Sequence, residues 1–208
     1  MSAPSAEIKR GRKFDQVVEG ARKIFLADGY EGASVDLIAK EAGVSKATLY
    51  NYFPDKGLLF MEVATRECQR HAEVAVQAID PPLSAPVVLR QIAEQLQAFM
   101  LSDLGSGMFR ICTAESGRFP QIGQEFCKYG PEVVCKAIVP FLQAATQRGE
   151  LDIEDYELAA YQFMELIKAE LWVKRIMGID CDFSPEKRQK VIDGAIEMFM
   201  ARYAAKKP

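Results

Sequence analysis

Phe14, Val17, Val18, Ala21, Ile24 and Phe25 recur at i, i+3, i+4, i+7, i+10 and i+11, a spacing that lines one face of an α-helix and that a strand cannot use. The same period returns in Leu89, Ile92, Ala93, Leu96, Phe99 and Met100, and no stretch alternates apolar and polar residues as a half-buried strand would. The chain is therefore expected to be all-α. Its 208 residues allow a small head and a helical body with its own core, and the boundary is placed at residues 1–60 and 61–208.

Gly29 is expected to end the first helix. Ser34 then precedes a second short stripe, Val35, Ile38, Ala39 and Ala42, and suits the cap position, where a hydroxyl accepts from an otherwise unpaired amide. Asp36 complements the positive end of that helix. Ser45 is expected to cap a third helix, and Pro54-Asp55 to break it and open a long fourth, from Asp55 to about residue 78, that joins head to body.

Ala39, Gly43 and Leu49 stand at the offsets of a helix-turn-helix: a methyl group where two helices cross, a residue that accepts positive φ at the sharp turn, and an apolar anchor. With Val44, Leu49 and Phe53 turned toward the first helix, the opposite face of the third presents Lys46, Ala47 and Tyr50, flanked by Ser45, Thr48, Asn51 and Tyr52. Lysine can donate to guanine, alanine can touch a thymine methyl, and hydroxyl and amide groups suit phosphates and base edges. Lys56 follows the Pro-Asp break, where a cation can reach a backbone phosphate. The alternative is a plain three-helix bundle in which Tyr50, Tyr52 and Phe53 are all core. Three aromatics within four positions cannot all face inward from one helix, so at least one meets solvent or a ligand.

A net charge of −3 does not by itself recommend a nucleic-acid partner. Its distribution permits one. Residues 1–60 carry nine Lys and Arg against eight Asp and Glu, the remainder seventeen against twenty-one, and four of the nine cations cluster at Lys9, Arg10, Arg12 and Lys13.

The stretch from Ala21 to Met61, ARKIFLADGYEGASVDLIAKEAGVSKATLYNYFPDKGLLFM, resembles the N-terminal domain of the TetR family of repressors. The resemblance implies that Lys46, Ala47 and Tyr50 approach bases while Ser34, Ser45, Thr48, Asn51, Tyr52 and Lys56 hold phosphates, with the basic arm at residues 9–13 adding a minor-groove or phosphate contact. It also implies double-stranded operator DNA as partner, a homodimer, and a small-molecule effector that releases the operator. A second stretch, MFRICTAESGRFPQIGQEF from Met108 to Phe126, resembles the C-terminal domain of the AefR-like subgroup of the same family.

Beyond Asp80-Pro81-Pro82 the composition shifts. Gly105 and Gly107 are expected to end the helix that carries Leu89 to Met100; a short helix spans Met108 to Ser116, Pro120 starts another, and Gly130-Pro131 precedes one that runs to Arg148-Gly149. From Leu158 to Met177 fourteen of twenty positions are apolar or aromatic, so a helix there must be covered on two sides. The last helix, Ser184 to Ala205, shows Val191, Ala195 and Met198 beside Ile192, Ile196, Phe199 and Tyr203. Two such helices packed on their symmetry mates make a four-helix dimer interface. Candidate effector contacts are Phe99, Met100, Phe109, Cys112, Phe126 and Trp172, apolar or soft side chains that suit a hydrophobic molecule and that core packing explains at least as well. Glu115 and Arg118 form an i, i+3 pair that a structural role explains at least as well as a ligand role.

No run of 18 apolar residues is present, and no apolar segment follows the charges of the first residues, so the expectation is a cytoplasmic chain with no membrane partner. Five cysteines, an odd number with no C-x-x-C pair, argue against disulfides and zinc, and His71 has no His or Cys three or four residues further on, so no metal is expected. No nucleophile elbow, phosphate-cradling glycine loop or H-E-x-x-H appears, which points away from an enzyme and from a cofactor. Two rivals remain: a redox-responsive DNA-binding regulator switching through Cys112, Cys127 or Cys135, and a helical adaptor whose head grips protein.

Overall fold

The computed structural model describes residues 11–77, 83–117 and 120–206, and the side chains of these except residues 68 and 71–77. Lys9, Arg10, Asp80-Pro81-Pro82, the Glu115–Arg118 pair and the side chain of His71 therefore lie outside the described residues. Among them the order is α1 (Arg12–Gly32), α2 (Val35–Glu41), α3 (Lys46–Tyr52), α4 (Lys56–Gln77), α5 (Ala85–Leu101), α6 (Asp103–Glu115), α7 (Pro120–Tyr129), α8 (Pro131–Gln147), α9 (Tyr156–Leu166), α10 (Leu171–Ile176) and α11 (Pro185–Tyr203). The described residues pair in extended form only at the isolated bridge between Leu151 and Ala204, so the chain is all-α. None of the described helices is long and apolar enough to cross a membrane. Two compact units, Met1–Ala64 and Thr65–Pro208, divide within α4.

In the first unit α1 buries Phe14, Val17, Val18, Ala21 and Phe25, with Ile24 half-buried at the margin of the stripe. Gly29, at φ +69° and ψ −177°, stops the run of helical residues that carries this stripe, as its spacing predicts, and a short helical turn resumes after the kink as far as Gly32. Gly20 of α1 lies hard against the end of α2: a Cβ there would sit 2.8 Å from the N, Cα and Cβ of Ala42. A glycine inside a helix costs about 0.5–1 kcal/mol in propensity, and here it lets two backbones meet. Phe25 and Tyr30, from the end of α1, close on Phe60 of α4 with ring centroids 4.9 and 5.0 Å apart.

The second unit has one core, built from Val88, Leu89 and Ile92 of α5, Ile138 and Leu142 of α8, Ala160 and Phe163 of α9, and Ile192, Ile196 and Phe199 of α11. Polar ties fix the helices over it. Gln97, buried on α5, donates from Nε2 to the Ile167 carbonyl at 3.0 Å, and Arg90 pairs with Asp193 of α11 at 2.6 Å. The Glu150 carboxylate accepts from the Ala85 amide at 2.6 Å and so serves the open N-terminus of α5 from 65 residues away.

Two expectations for this unit are corrected. Gly105 and Gly107 do not end α5; they lie inside α6. Helix α5 ends at Leu101 because Ser102 turns the chain: its amide and hydroxyl both donate to the Phe99 carbonyl, at 3.1 and 2.7 Å, and its Oγ accepts from the Gly105 amide at 3.1 Å to cap α6. A Cβ at Gly105 would stand 2.2 Å from the Phe99 oxygen, so the glycine is needed for close approach and not as a stop. The apolar run from Leu158 to Met177 is likewise not one helix. It ends at Leu166 and resumes at Leu171 after a turn in which Glu170 takes φ +64°, and the Glu170 carboxylate accepts from Lys174 at 2.8 Å and pairs with Lys187 at 2.7 Å. The two ammonium groups, Lys174 first, hold that carboxyl down to about 2.

Candidate functional site

The helix-turn-helix is assembled by local bonds. Ser34 Oγ accepts from the Leu37 amide at 3.2 Å at the start of α2, and Ser45 Oγ from the Thr48 amide at 3.1 Å at the start of α3. Between the helices Gly43 takes φ +63°, a left-handed conformation that glycine adopts without steric cost. Leu49 and Phe53 are buried, and Phe14 of α1 stacks on Phe53 at 5.2 Å and meets Tyr52 edge-on at 5.7 Å. Helix α3 is thus anchored along one side by residues from its second half.

The other side is open. Lys46, Ala47, Tyr50 and Asn51 are exposed, and at about 100° per residue they share an arc of roughly 140° on α3. Tyr50 keeps 47% of its surface in solvent although it is a large ring on a seven-residue helix, which disposes of an all-core aromatic cluster. Ser34 and Ser45, the caps of α2 and α3, are exposed, and Thr48 and Tyr52 are half-buried. Thr48 shares a 2.9 Å hydroxyl–hydroxyl bond with Ser45, and Tyr52 leans on Phe14.

Two cations of the site have partners that the sequence did not announce. Lys56, half-buried at the start of α4, donates to the carbonyls of Tyr30 at 2.8 Å and Ala33 at 3.1 Å, with its ammonium 4.2 Å from the Tyr30 ring centroid. Two of its three N–H groups therefore tie α4 to the end of α1. Lys46 is ion-paired with Asp36 in the first turn of α2. Neighbouring Glu41 is matched by Lys23 of α1 at 2.8 Å, and that hydrogen bond raises the lysine above its ordinary value.

In the body, Phe109 of α6 lies 5.0 Å from Trp172 of α10 and 5.8 Å from Phe126 of α7, both edge-on, and all three rings are half-buried. Cys112 is buried one turn beyond Phe109; burial first, and the nearby Cys127 second, push its thiol up to about 12. Met100 packs instead against the main core. Phe99 is half-buried and falls on a stripe of α5 with Gln91 and Gln95, at i, i+4 and i+8. The side-chain oxygens of both glutamines are buried without a hydrogen-bond partner among the described residues. Nothing in the sequence context of these glutamines separates them from a solvated face.

Residues 17–63 match the family of bacterial regulatory proteins, tetR family, and residues 87–205 match the AefR-like transcriptional repressor C-terminal domain. Over 62 residues the chain is 37% identical to the HTH-type transcriptional repressor AcnR of Corynebacterium diphtheriae, a match that takes in 30% of this chain and 33% of that protein. The chain thus spans about a third of the length of the curated relatives it matches. Among solved structures, a protein of Mesorhizobium loti assigned to the TetR regulators superposes with a TM-score of 0.77 at 26% identity, covering 93% of this chain and 97% of that one. The flavonoid-responsive regulator FrrA superposes with a TM-score of 0.69 at 32% identity, covering 95% and 100%. With matches to the helix-turn-helix at one end and to more than half of its length at the other, this chain belongs to the TetR family of transcriptional regulators.

Proposed function

We propose that the protein is a cytoplasmic homodimeric repressor whose head, residues 1–60, binds a palindromic operator and whose body, residues 61–208, dimerises and takes up a small hydrophobic effector that releases the DNA. The observation that carries the DNA step is the open face of α3: Lys46, Ala47, Tyr50 and Asn51 exposed together on a helix anchored from behind by Leu49 and Phe53. In this reading Lys46, Ala47 and Tyr50 reach base edges in the major groove, while Ser34, Ser45, Thr48, Asn51, Tyr52 and the remaining N–H of Lys56 reach phosphates.

Two such heads must meet successive major grooves about 34 Å apart, which requires a dimer. The exposed Leu158 and Tyr161 of α9 and Met198 of α11 supply an apolar face for it. The half-buried rings of Phe109, Phe126 and Trp172 suit a planar aromatic effector, and the full-length likeness to a flavonoid-responsive regulator favours the same class. Helix α4 runs unbroken across the division between the units, so a tilt of it is the proposed route from effector to head. A cysteine switch is disfavoured by Cys112 itself, whose buried thiol resists forming the reactive thiolate.

The test is binding of the protein to a fluorescent duplex from immediately upstream of its own gene, at two salt concentrations, with Tyr50→Ala alongside. Saturable binding that weakens with salt and is lost in the variant supports the proposal. Binding that ignores salt, or none, overturns it in favour of a protein partner. Trp172, the single tryptophan, reports the effector step: a flavonoid should quench its emission and lower DNA occupancy together.

A further inference from the structure

We propose that Asp36 is a specificity-determining residue of the head, acting by cancelling the charge of Lys46 so that the lysine serves neutral base edges better than phosphates. The inference rests on the DNA-binding role proposed above. Lys46 opens α3 and Asp36 lies in the first turn of α2, ten residues earlier, and the two side chains form an ion pair while remaining 59% and 63% exposed. The pair is therefore within reach of a third partner. It also sits in a segment with no charge to spare: from Val35 to Tyr52 the cations are Lys40 and Lys46 and the anions Asp36 and Glu41.

An ammonium has three N–H donors, and a carboxylate partner leaves at least one of them for another acceptor. What the carboxylate removes is the long-range attraction for anions. A phosphate approaching Lys46 meets the Asp36 charge as well, so the sequence-independent gain that every duplex offers is reduced. The O6 and N7 acceptors of guanine carry no net charge, and the free N–H can bond to them with the ion pair intact. Asp36 thus subtracts from binding to any DNA more than from binding at a site that presents guanine to Lys46. A reading helix with one cation and no arginine gains discrimination by this route, at the expense of overall affinity.

The experiment compares the full-length wild type with Asp36→Asn, Lys46→Gln and the double variant on two fluorescent duplexes, the fragment upstream of the gene and a shuffled fragment of equal length and composition. Asp36→Asn is expected to tighten binding to the shuffled duplex about three- to fivefold, the scale of an exposed ion pair. It should tighten the upstream fragment less, and steepen the salt dependence by about one counterion. With Lys46→Gln in place these changes should vanish. Equal tightening of both duplexes, or the same tightening without Lys46, would mean that Asp36 merely repels DNA at long range and would overturn the proposal, as would no change. Asp36→Ser is the second variant should the first fail to fold, and the same outcomes apply. A wild type that binds neither duplex removes the DNA-binding role; a wild type that selects the upstream fragment, with variants that do not shift the ratio, removes only the role of Asp36.

Discussion

Replacing Gly20 by alanine sets two effects of similar size against each other. Gly20 lies inside α1, where alanine regains about 0.5–1 kcal/mol of helix propensity. Against this, the new methyl carbon would stand 2.8 Å from the N, Cα and Cβ of Ala42, where carbon contacts are comfortable at about 3.5–4.0 Å. No rotamer relieves the strain, because two of the three atoms are backbone. Helix α2 has to move out by roughly 0.7 Å, and overpacking of this kind costs about 1–3 kcal/mol. The steric effect wins, leaving a net loss of about 1–2 kcal/mol and, for a unit of this size, a melting temperature lower by roughly 5–10 °C. Far-ultraviolet circular dichroism of the full-length variant reads this directly. Ala42→Gly added to Gly20→Ala removes one contact of the three and leaves both backbone ones, so a double-mutant cycle should recover less than half of the loss. If Gly20→Ala melts at or above the wild-type temperature, propensity has prevailed, and α1 and α2 do not meet as closely as argued.

Lys56→Met should lower the stability of the head by about 1–3 kcal/mol, since it strips partners from the Tyr30 and Ala33 carbonyls; a lysine serving phosphates alone would leave the melting temperature unchanged. The Cys112 thiol releases its proton near 9 when unfolded and near 12 when folded, so stability should be level below about pH 9 and decline as pH rises toward 12. Cys112→Ser should flatten that decline in chemical denaturation at a series of pH values. Glu170 behaves in the opposite sense: its folded carboxyl titrates near 2 against 4.5 unfolded, so its contribution is complete above about pH 4.5 and lost as pH falls toward 2. Glu170→Gln should make acid unfolding shallower over that window, and an unchanged acid limb would refute the bridging role of the two lysines.

What the sequence disclosed about this fold was whatever acts within one helical turn. The α1 stripe, the caps at Ser34 and Ser45 and the turn at Gly43 each depend on residues at most four positions away, and each is found where the spacing puts it. The differences arose where a residue type allows two local outcomes and where a tertiary partner adds to a local one. Gly105 reads locally as a helix terminator; in the folded body it is the point where α6 passes the Phe99 carbonyl. Glu170 sits in Lys-Ala-Glu-Leu, a run of good helix formers, yet it takes positive φ in the turn between α9 and α10, with its carboxylate paired to Lys187 of α11 and to Lys174 close by. Propensity gives no sign of such a break, and only one of the two partners gathered at it, Lys174, lies within reach of a local reading.

The candidate DNA interface divides the same way. Which residues of α3 face outward follows from helical period and from the anchors Leu49 and Phe53, so the exposed set was available from the sequence. How its charges are compensated was not. Lys46 and Lys56 look alike in the sequence, two lysines at helix starts beside the candidate DNA-reading segment. In the fold one is neutralised by a carboxylate and still exposed, and the other is drawn under Tyr30 to satisfy two carbonyls. A cation in each state differs in what it can offer: Lys46 an ammonium whose charge Asp36 balances, and Lys56 a charge already committed to holding α1 and α4 together. Counting basic residues therefore overstates the attraction of this head for phosphate, and its affinity should depend on base contacts more than its two lysines suggest.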